Sequence, residues 1–470
     1  MSLTVESRTR IPRRRPASTW LPSEISSIVW GRILFLLVPA IWFSGLAIGF
    51  VNALTILTFL SFGLFLLGIR WAGVGLIGLG MMTAIDPLTR GFVTTAIALP
   101  FNTINYLLLV SMVWFLPFLL RVNDVHSRLL QVLVLVLILM LYFSNSKING
   151  VIHILNVVTL FGMLPYIARA IQNRPAMYWM GVISSLISAV GGIAFFLMMD
   201  SIGYLNPNAW AKFPVTGILL SCLAFPYARE FRLGRPTLLL LALVNALWVF
   251  LSGSRGNMLI GGVGLLFLIF YERNFSWKLF VFGLIVVAVT AMSAFFYEQQ
   301  TYAVSRVEML FSDDFDVDTA TSGRLSIATR GLELFRRNPL GVGTGAFNSE
   351  IAAVSDFADS EIQAHSGWIK VLAENGIPGI LLLGGYVFSF VVVGVRSGKR
   401  EKVFFGTLAT IVLAVAFISS EFQGKNLWFL AAAATVLLHD EQYAAIVAKA
   451  TSIFSRREPR RVHAWRRPGG

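Results

Sequence analysis

Three stretches hold the side chains best suited to chemistry: SGSRGNML at 252–259, SGRLSIATRGLELFRRNPLGVGTGAF at 322–347 and AHSGWIKVLAENGIPG at 364–379. Arg255 stands among Ser252, Gly253, Ser254 and Gly256, small residues that let a ligand approach the backbone. Arg324 falls in the first turn of a predicted helix, where a cation opposes the helix dipole unless an anion is bound nearby. Guanidinium forks grip phosphate oxygens two at a time, so this pair suits a phosphate-bearing ligand. His365 opens a second predicted helix, whose free N–H groups also favour an anion. A neutral imidazole there can accept a proton near physiological pH. Each residue has a plainer reading: a helix-end arginine snorkels to a membrane interface, and a lone histidine more often packs than reacts.

The elements that position these groups follow from hydropathy and punctuation. The 470-residue chain is 56% hydrophobic and 13% charged, with a mean hydropathy of +0.74. Soluble domains carry about 25% charged residues, so this is an all-α, multi-span membrane protein. Runs such as LLQVLVLVLILMLYF (129–143) are apolar on every face, which excludes a β-barrel. Apolar runs at 31–50, 53–69, 71–85, 101–120, 129–145, 150–171, 177–199, 213–228, 236–251, 257–271, 277–297, 376–395, 403–420 and 426–440 predict about 14 spans, with about 12 as the lower bound. The run at 71–85 is short and glycine-rich, and 91–100 reads as a loop or a re-entrant piece.

The net charge of +14 fits basic cytoplasmic connections better than nucleic-acid binding. With Arg13, Arg14 and Arg15 inside, every second connection is basic, through Arg70, Arg121, Arg169, Arg174, Arg229, Arg396 and Lys399 to the tail at Arg456. Both termini are therefore expected in the cytoplasm. The chain divides into a basic segment (1–30), a bundle of spans (31–297), one large outer loop (298–375), C-terminal spans (376–440) and a basic tail (441–470). Within the loop a helix is predicted over about 323–337, stopped by Asn338-Pro339. A second, over about 366–375, places Trp368, Val371 and Leu372 on one face. It ends at Asn375-Gly376 and turns sharply into the next span. The spans themselves read as nearly free of charge.

Other chemistries find little support. Asp314, Asp316 and Asp318 start like a calcium loop, but Thr319 and Leu325 stand where the glycine and closing glutamate belong. Phosphate-binding, dinucleotide and hydrolase motifs are missing from the sequence, and Cys222 is the single cysteine. Of five histidines, His126, His439 and His463 fall on the cytoplasmic side, His153 near the outer end of a span, and His365 in the outer loop.

Taken together, the three stretches resemble the O-antigen ligase and Wzy polymerase superfamily of bacterial membrane glycosyltransferases, over roughly residues 236–395. Arg255 and Leu259 match the family's Arg-x3-Leu motif. His365, Ser366, Gly376 and Gly379 match its histidine motif, whereas Ile380 and Leu381 replace the closing threonine pair. The resemblance implies an inner-membrane enzyme with a large periplasmic loop that moves a glycan from undecaprenyl diphosphate to a saccharide or lipid A core acceptor. The missing threonine pair favours polymerase over ligase. Arg255 and Arg324 would hold the diphosphate and His365 would act as base, with Ser254, Ser322, Ser366 and Arg330 as further contacts. No metal or other cofactor is expected, and other polysaccharide assembly proteins are possible partners. A lipid-linked glycan flippase is the rival, expected to carry charge inside several spans. A peptidoglycan-type glycosyltransferase is a third reading; it would shift weight to Glu350 or Glu361.

Overall fold

The computed structural model describes residues 22–96, 103–197, 207–252, 254–271, 324–353, 366–419 and 424–455, and among these every regular element is helical. In chain order the α-helices are α1 (Pro22–Ile48), α2 (Phe50–Leu67), α3 (Ala72–Ala96), α4 (Thr103–Trp114), α5 (Leu116–Leu119), α6 (Val125–Leu141), α7 (Lys147–Ala170), α8 (Arg174–Leu197) and α9 (Pro207–Ala224). A 3-10 turn at Phe225–Glu230 leads to α10 (Gly234–Leu251) and α11 (Arg255–Tyr271). After the loop helices α12 (Arg324–Arg337) and α13 (Phe347–Ala353) come α14 (Gly367–Arg396), α15 (Arg400–Ser419), α16 (Lys425–Leu438) and α17 (Asp440–Ser455). Eight of the described helices are long and apolar enough to cross a membrane, and four shorter apolar ones accompany them. The run expected at 277–297 and the aspartates at 314–318 lie outside the described residues.

The glycine-rich run at 71–85 is a full helix, α3, that continues to Ala96, into the stretch at 91–100 expected to be a loop or re-entrant piece. Its glycines are contact surface. A Cβ at Gly78 would meet the backbone of Leu64 and Phe65 on α2, and one at Gly80 would meet Met180 and Ser184 on α8. Small residues let membrane helices approach closely where no hydrophobic force drives them together. α8 in turn packs on α1, α3 and α9, which makes it a hub of the N-terminal half.

The connections gather at two ends. At the first end the predicted basic connections meet one another. Arg169 donates to the Gly68 and Ile69 carbonyls at 3.0 Å each, and Arg174 pairs with Glu230. Arg400 donates to Tyr271 O at 2.9 Å. Lys402 reaches Asp440 at 2.7 Å, and Tyr443 donates to Asp124 at 2.8 Å. Residues 441–455, expected as the start of a basic tail, thus belong to a helix docked on this end. Burial lowers the His439 pKa below its ordinary value, against the raising effect of Asp124. At the opposite end the connection after α6 meets the segment that follows α12, and α14 begins beside the end of α15.

Candidate functional site

The site region is assembled on the first turns of α14. Ser366 is its N-cap: the hydroxyl accepts from Ile369 N at 3.4 Å and donates to Phe417 O, on α15, at 3.3 Å. Backbone geometry breaks at Gly376 (φ 61°, ψ −154°), so the helix turns there before continuing as a span. Only glycine holds that conformation without strain. The predicted surface helix ahead of the kink is in fact largely buried, Lys370 and Glu374 included.

Helix α12 runs alongside this segment in the same direction. Gly331 abuts Ile369, and Pro339 O accepts Ile377 N at 3.1 Å, an offset that holds over both contacts. A small core of Leu334, Phe347, Ile351 and Ala373 joins α12, α13 and α14. As expected, α12 stops at Asn338-Pro339. The chain then threads GVGTG through a narrow gap. Val342 N and Gly343 N donate to the Ala373 and Glu374 carbonyls at 3.0 and 2.9 Å. Gly345 has φ +87°, and a Cβ on it would lie 2.2 Å from Gly150 N on α7. Between these glycines, Thr344 Oγ1 lies 2.8 Å from Leu137 O and 2.7 Å from the side-chain oxygen of Asn375. The loop is therefore locked onto α6, α7 and α14.

Beneath the lock sits a buried polar cluster. His153 Nε2 lies 3.0 Å from Lys370 Nζ, and His153 Nδ1 lies 3.7 Å from Glu374 Oε2. An ammonium only donates, so with Lys370 charged Nε2 is the acceptor and a ring proton on Nδ1 faces the carboxylate. The imidazole thus stands between the lysine and the glutamate. Glu374 Oε1 also accepts from Phe347 N at 3.2 Å. Nearby in α7, Asn156 and Thr159 receive Lys425 Nζ at 2.9 and 3.3 Å. Lys370, Glu374 and Lys425, with Asp86 on α3, are all buried. The expectation of spans nearly free of charge is corrected on this point. Charge does enter the bundle: Lys370, Glu374 and Lys425 stand in the first turns of their helices and are hydrogen-bonded, as a low-dielectric interior requires, and Asp86 lies in the middle of α3.

Two of the sequence-selected residues, Arg255 and Arg324, open helices. Arg255 is the first residue of α11, which packs along α15 with Tyr271 at the Arg400–Phe404 end. At 1.5 Å per residue, Arg255 is about 24 Å from Tyr271 and Phe417 about 20 Å from Phe404. The backbone of Arg255 is therefore level with the Phe417 end of α15, where Ser366 sits. Arg324 opens α12, about 10 Å before Gly331, whereas Ser366 is about 4.5 Å before Ile369. Because the two helices run in parallel, Arg324 also reaches this end, about a turn beyond Ser366. His365, Ser322 and Glu361 lie outside the described residues. Ser254 is buried and takes a 2.8 Å hydrogen bond from the side chain of Asn257, in the first turn of α11. Arg330 lines an open groove of about 560 Å³ on α12 with Ser326, Thr329, Glu333 and Arg337. Glu350 accepts from Asn145 at 2.6 Å. The arrangement brings three helix N-termini, each favourable to anions, to one level of the bundle.

Sequence reasoning passed over Lys370, Glu374 and Lys425. The first two are spaced i, i+4 with opposite charge, a pattern that usually marks a solvated helix face. Their buried partner His153 is 217 residues away. Residues 238–384 match the family model described as O-antigen ligase. No curated protein matches the chain. The matched segment takes in the starts of α11 and α12, the GVGTG lock and the kinked half of α14.

Proposed function

Proceeding from that match, which supports membership of the O-antigen ligase and Wzy polymerase superfamily and a glycosyltransferase role in polysaccharide assembly, we propose that this membrane protein transfers a glycan from undecaprenyl diphosphate to an acceptor sugar. The observation that carries the reading is the convergence of the Arg255, Arg324 and Ser366 backbones at one end, inside the matched segment. A lipid-borne diphosphate leaving the bilayer at that end would meet two guanidinium groups and helix N-termini. They stabilise the charge that builds on the leaving diphosphate. His365, directly before the Ser366 cap, takes the proton of the attacking acceptor hydroxyl. The glycosidic carbon changes partners from phosphate oxygen to acceptor oxygen, and the lipid diphosphate departs. In this reading the end that carries the loop is periplasmic, the basic end is cytoplasmic and the membrane is the bacterial inner membrane. The replaced threonine pair at Ile380 and Leu381 favours the polymerase form over ligation to lipid A core. Glu350, held by Asn145, is the weaker candidate for a catalytic carboxylate.

Reconstituted protein with lipid-linked donor and acceptor tests the proposal. Arg255→Ala and Arg324→Ala should lose both donor binding and transfer; normal transfer by both variants contradicts it. The buried Lys370, Glu374 and Lys425 also fit a lipid-linked glycan flippase. Donor and acceptor on the same face of the membrane separate the two, because a flippase forms no product there.

A further inference from the structure

The basic end holds a second cluster, outside the segment matched to the ligase family and unused by the proposed reaction. His126 Nδ1 and His439 Nε2 lie 3.2 Å apart, and Asp124 Oδ1 is 3.7 Å from the same Nδ1. Together the three side chains offer ligand atoms that all lie within 4.8 Å of one another. Ligands bound about 2.0–2.1 Å from a tetrahedral zinc ion stand roughly 3.3 Å apart; the two imidazoles are at that spacing, and the carboxylate stands a few tenths of an ångström farther from His126.

Two further observations point to a bound cation. Asp124 is buried, yet no lysine or arginine pairs with it among the described residues. Its carboxylate is nevertheless held in one orientation: Ser127 N and Oγ donate to it at 2.9 and 2.7 Å, and Tyr443 Oη donates at 2.8 Å. Metal-binding carboxylates and imidazoles characteristically have such outer partners. His126 is fully buried and stacked on Phe390, with ring centroids 4.2 Å apart. With neutral rings, only one hydrogen can lie between the facing nitrogens, and the carboxylate brings none.

We propose that Asp124, His126 and His439 bind one divalent transition-metal ion of the Zn2+ type, which fastens the junction of α16 and α17 to the start of α6. Two imidazoles and one carboxylate are a donor set suited to such an ion. The fastened segments are 313 residues apart, so the ion would join two distant parts of the chain at the basic face. The role is structural and independent of the transfer chemistry.

The test uses the full chain with a histidine-free tag, purified in detergent, stripped with chelator and titrated with Zn2+ or Co2+. One ion per chain should bind, Co2+ should give tetrahedral ligand-field bands, and Tm should rise with metal. His126→Ala and His439→Ala should abolish binding, and Tyr443→Phe should weaken it about tenfold. His439→Gln, which keeps a polar side chain of similar reach, should match the Tm of the stripped wild type and gain nothing from Zn2+. Absence of stoichiometric binding, or no rise in wild-type Tm, would overturn the proposal and leave a proton shared between the imidazoles. Equal metal in wild type and the alanine variants would overturn it as well.

Discussion

Glu374→Gln is the most informative change to the buried cluster. Glutamine has the same shape and keeps an oxygen for Phe347 N, which Glu374 holds at 3.2 Å. Its amide nitrogen, however, would face the Nδ1–H of His153 where Oε2 now stands at 3.7 Å. The ring cannot change tautomer to accept, because Nε2 already accepts from Lys370 at 3.0 Å. The substitution removes one negative charge and leaves the Lys370 ammonium buried against it. Breaking a buried pair from one side costs about 3–5 kcal/mol. A loss of about 3 kcal/mol lowers the folded-to-unfolded ratio by about a hundredfold. Unfolding in mixed micelles, followed by tryptophan fluorescence, measures it. Lys370→Met alone should also destabilise, but Glu374→Gln with Lys370→Met should recover most of the loss, a coupling of about 2 kcal/mol. Costs that add to within about 0.5 kcal/mol would refute the linkage through His153.

Three other outcomes are expected. Gly345→Ala places a Cβ 2.2 Å from Gly150 N at φ +87° and should reduce folded protein, by at least the 1–3 kcal/mol typical of such strain; Gly384→Ala, with nothing within 4 Å, should not, as membrane expression levels would show. Arg255→Lys and Arg324→Lys should transfer less than wild type and more than the alanine variants, because charge is kept and the bidentate fork lost; lysine variants as inactive as alanine ones would contradict this. A cysteine at Ser355 in a Cys222→Ser background should react with an impermeant thiol reagent before the inner membrane is breached, and labelling only after lysis would reverse the assumed sidedness. Serine can keep the hydrogen bond from Cys222 to Gly264 O.

Local signals carried the sequence reading far. Asn338-Pro339 ended α12 where expected, and the break after Asn375 fell at Gly376, because turn residues act on their own backbone. Apolar runs located most helices for the same reason. Glycine content misled at α3, where glycines that look like breakers are the surface against which α2 and α8 pack. What pairs across long separations was invisible. Nothing in the spacing of Lys370 and Glu374 announces that His153 meets them from α7. The meeting of His126 with His439 depends on the whole bundle closing. The arginines were found by chemical type, yet their common level could be worked out only once α12 was seen to run parallel to α14, and α11 to pack along α15.

The central claim, transfer chemistry at the loop end with His365 as base, is tested most directly by measuring donor binding and single-turnover transfer separately for His365→Ala in reconstituted membranes. A general base contributes about 10²–10⁴-fold. Turnover should fall by about that factor while binding of the lipid-linked diphosphate donor stays near wild type. Turnover close to wild type in His365→Ala would contradict the account.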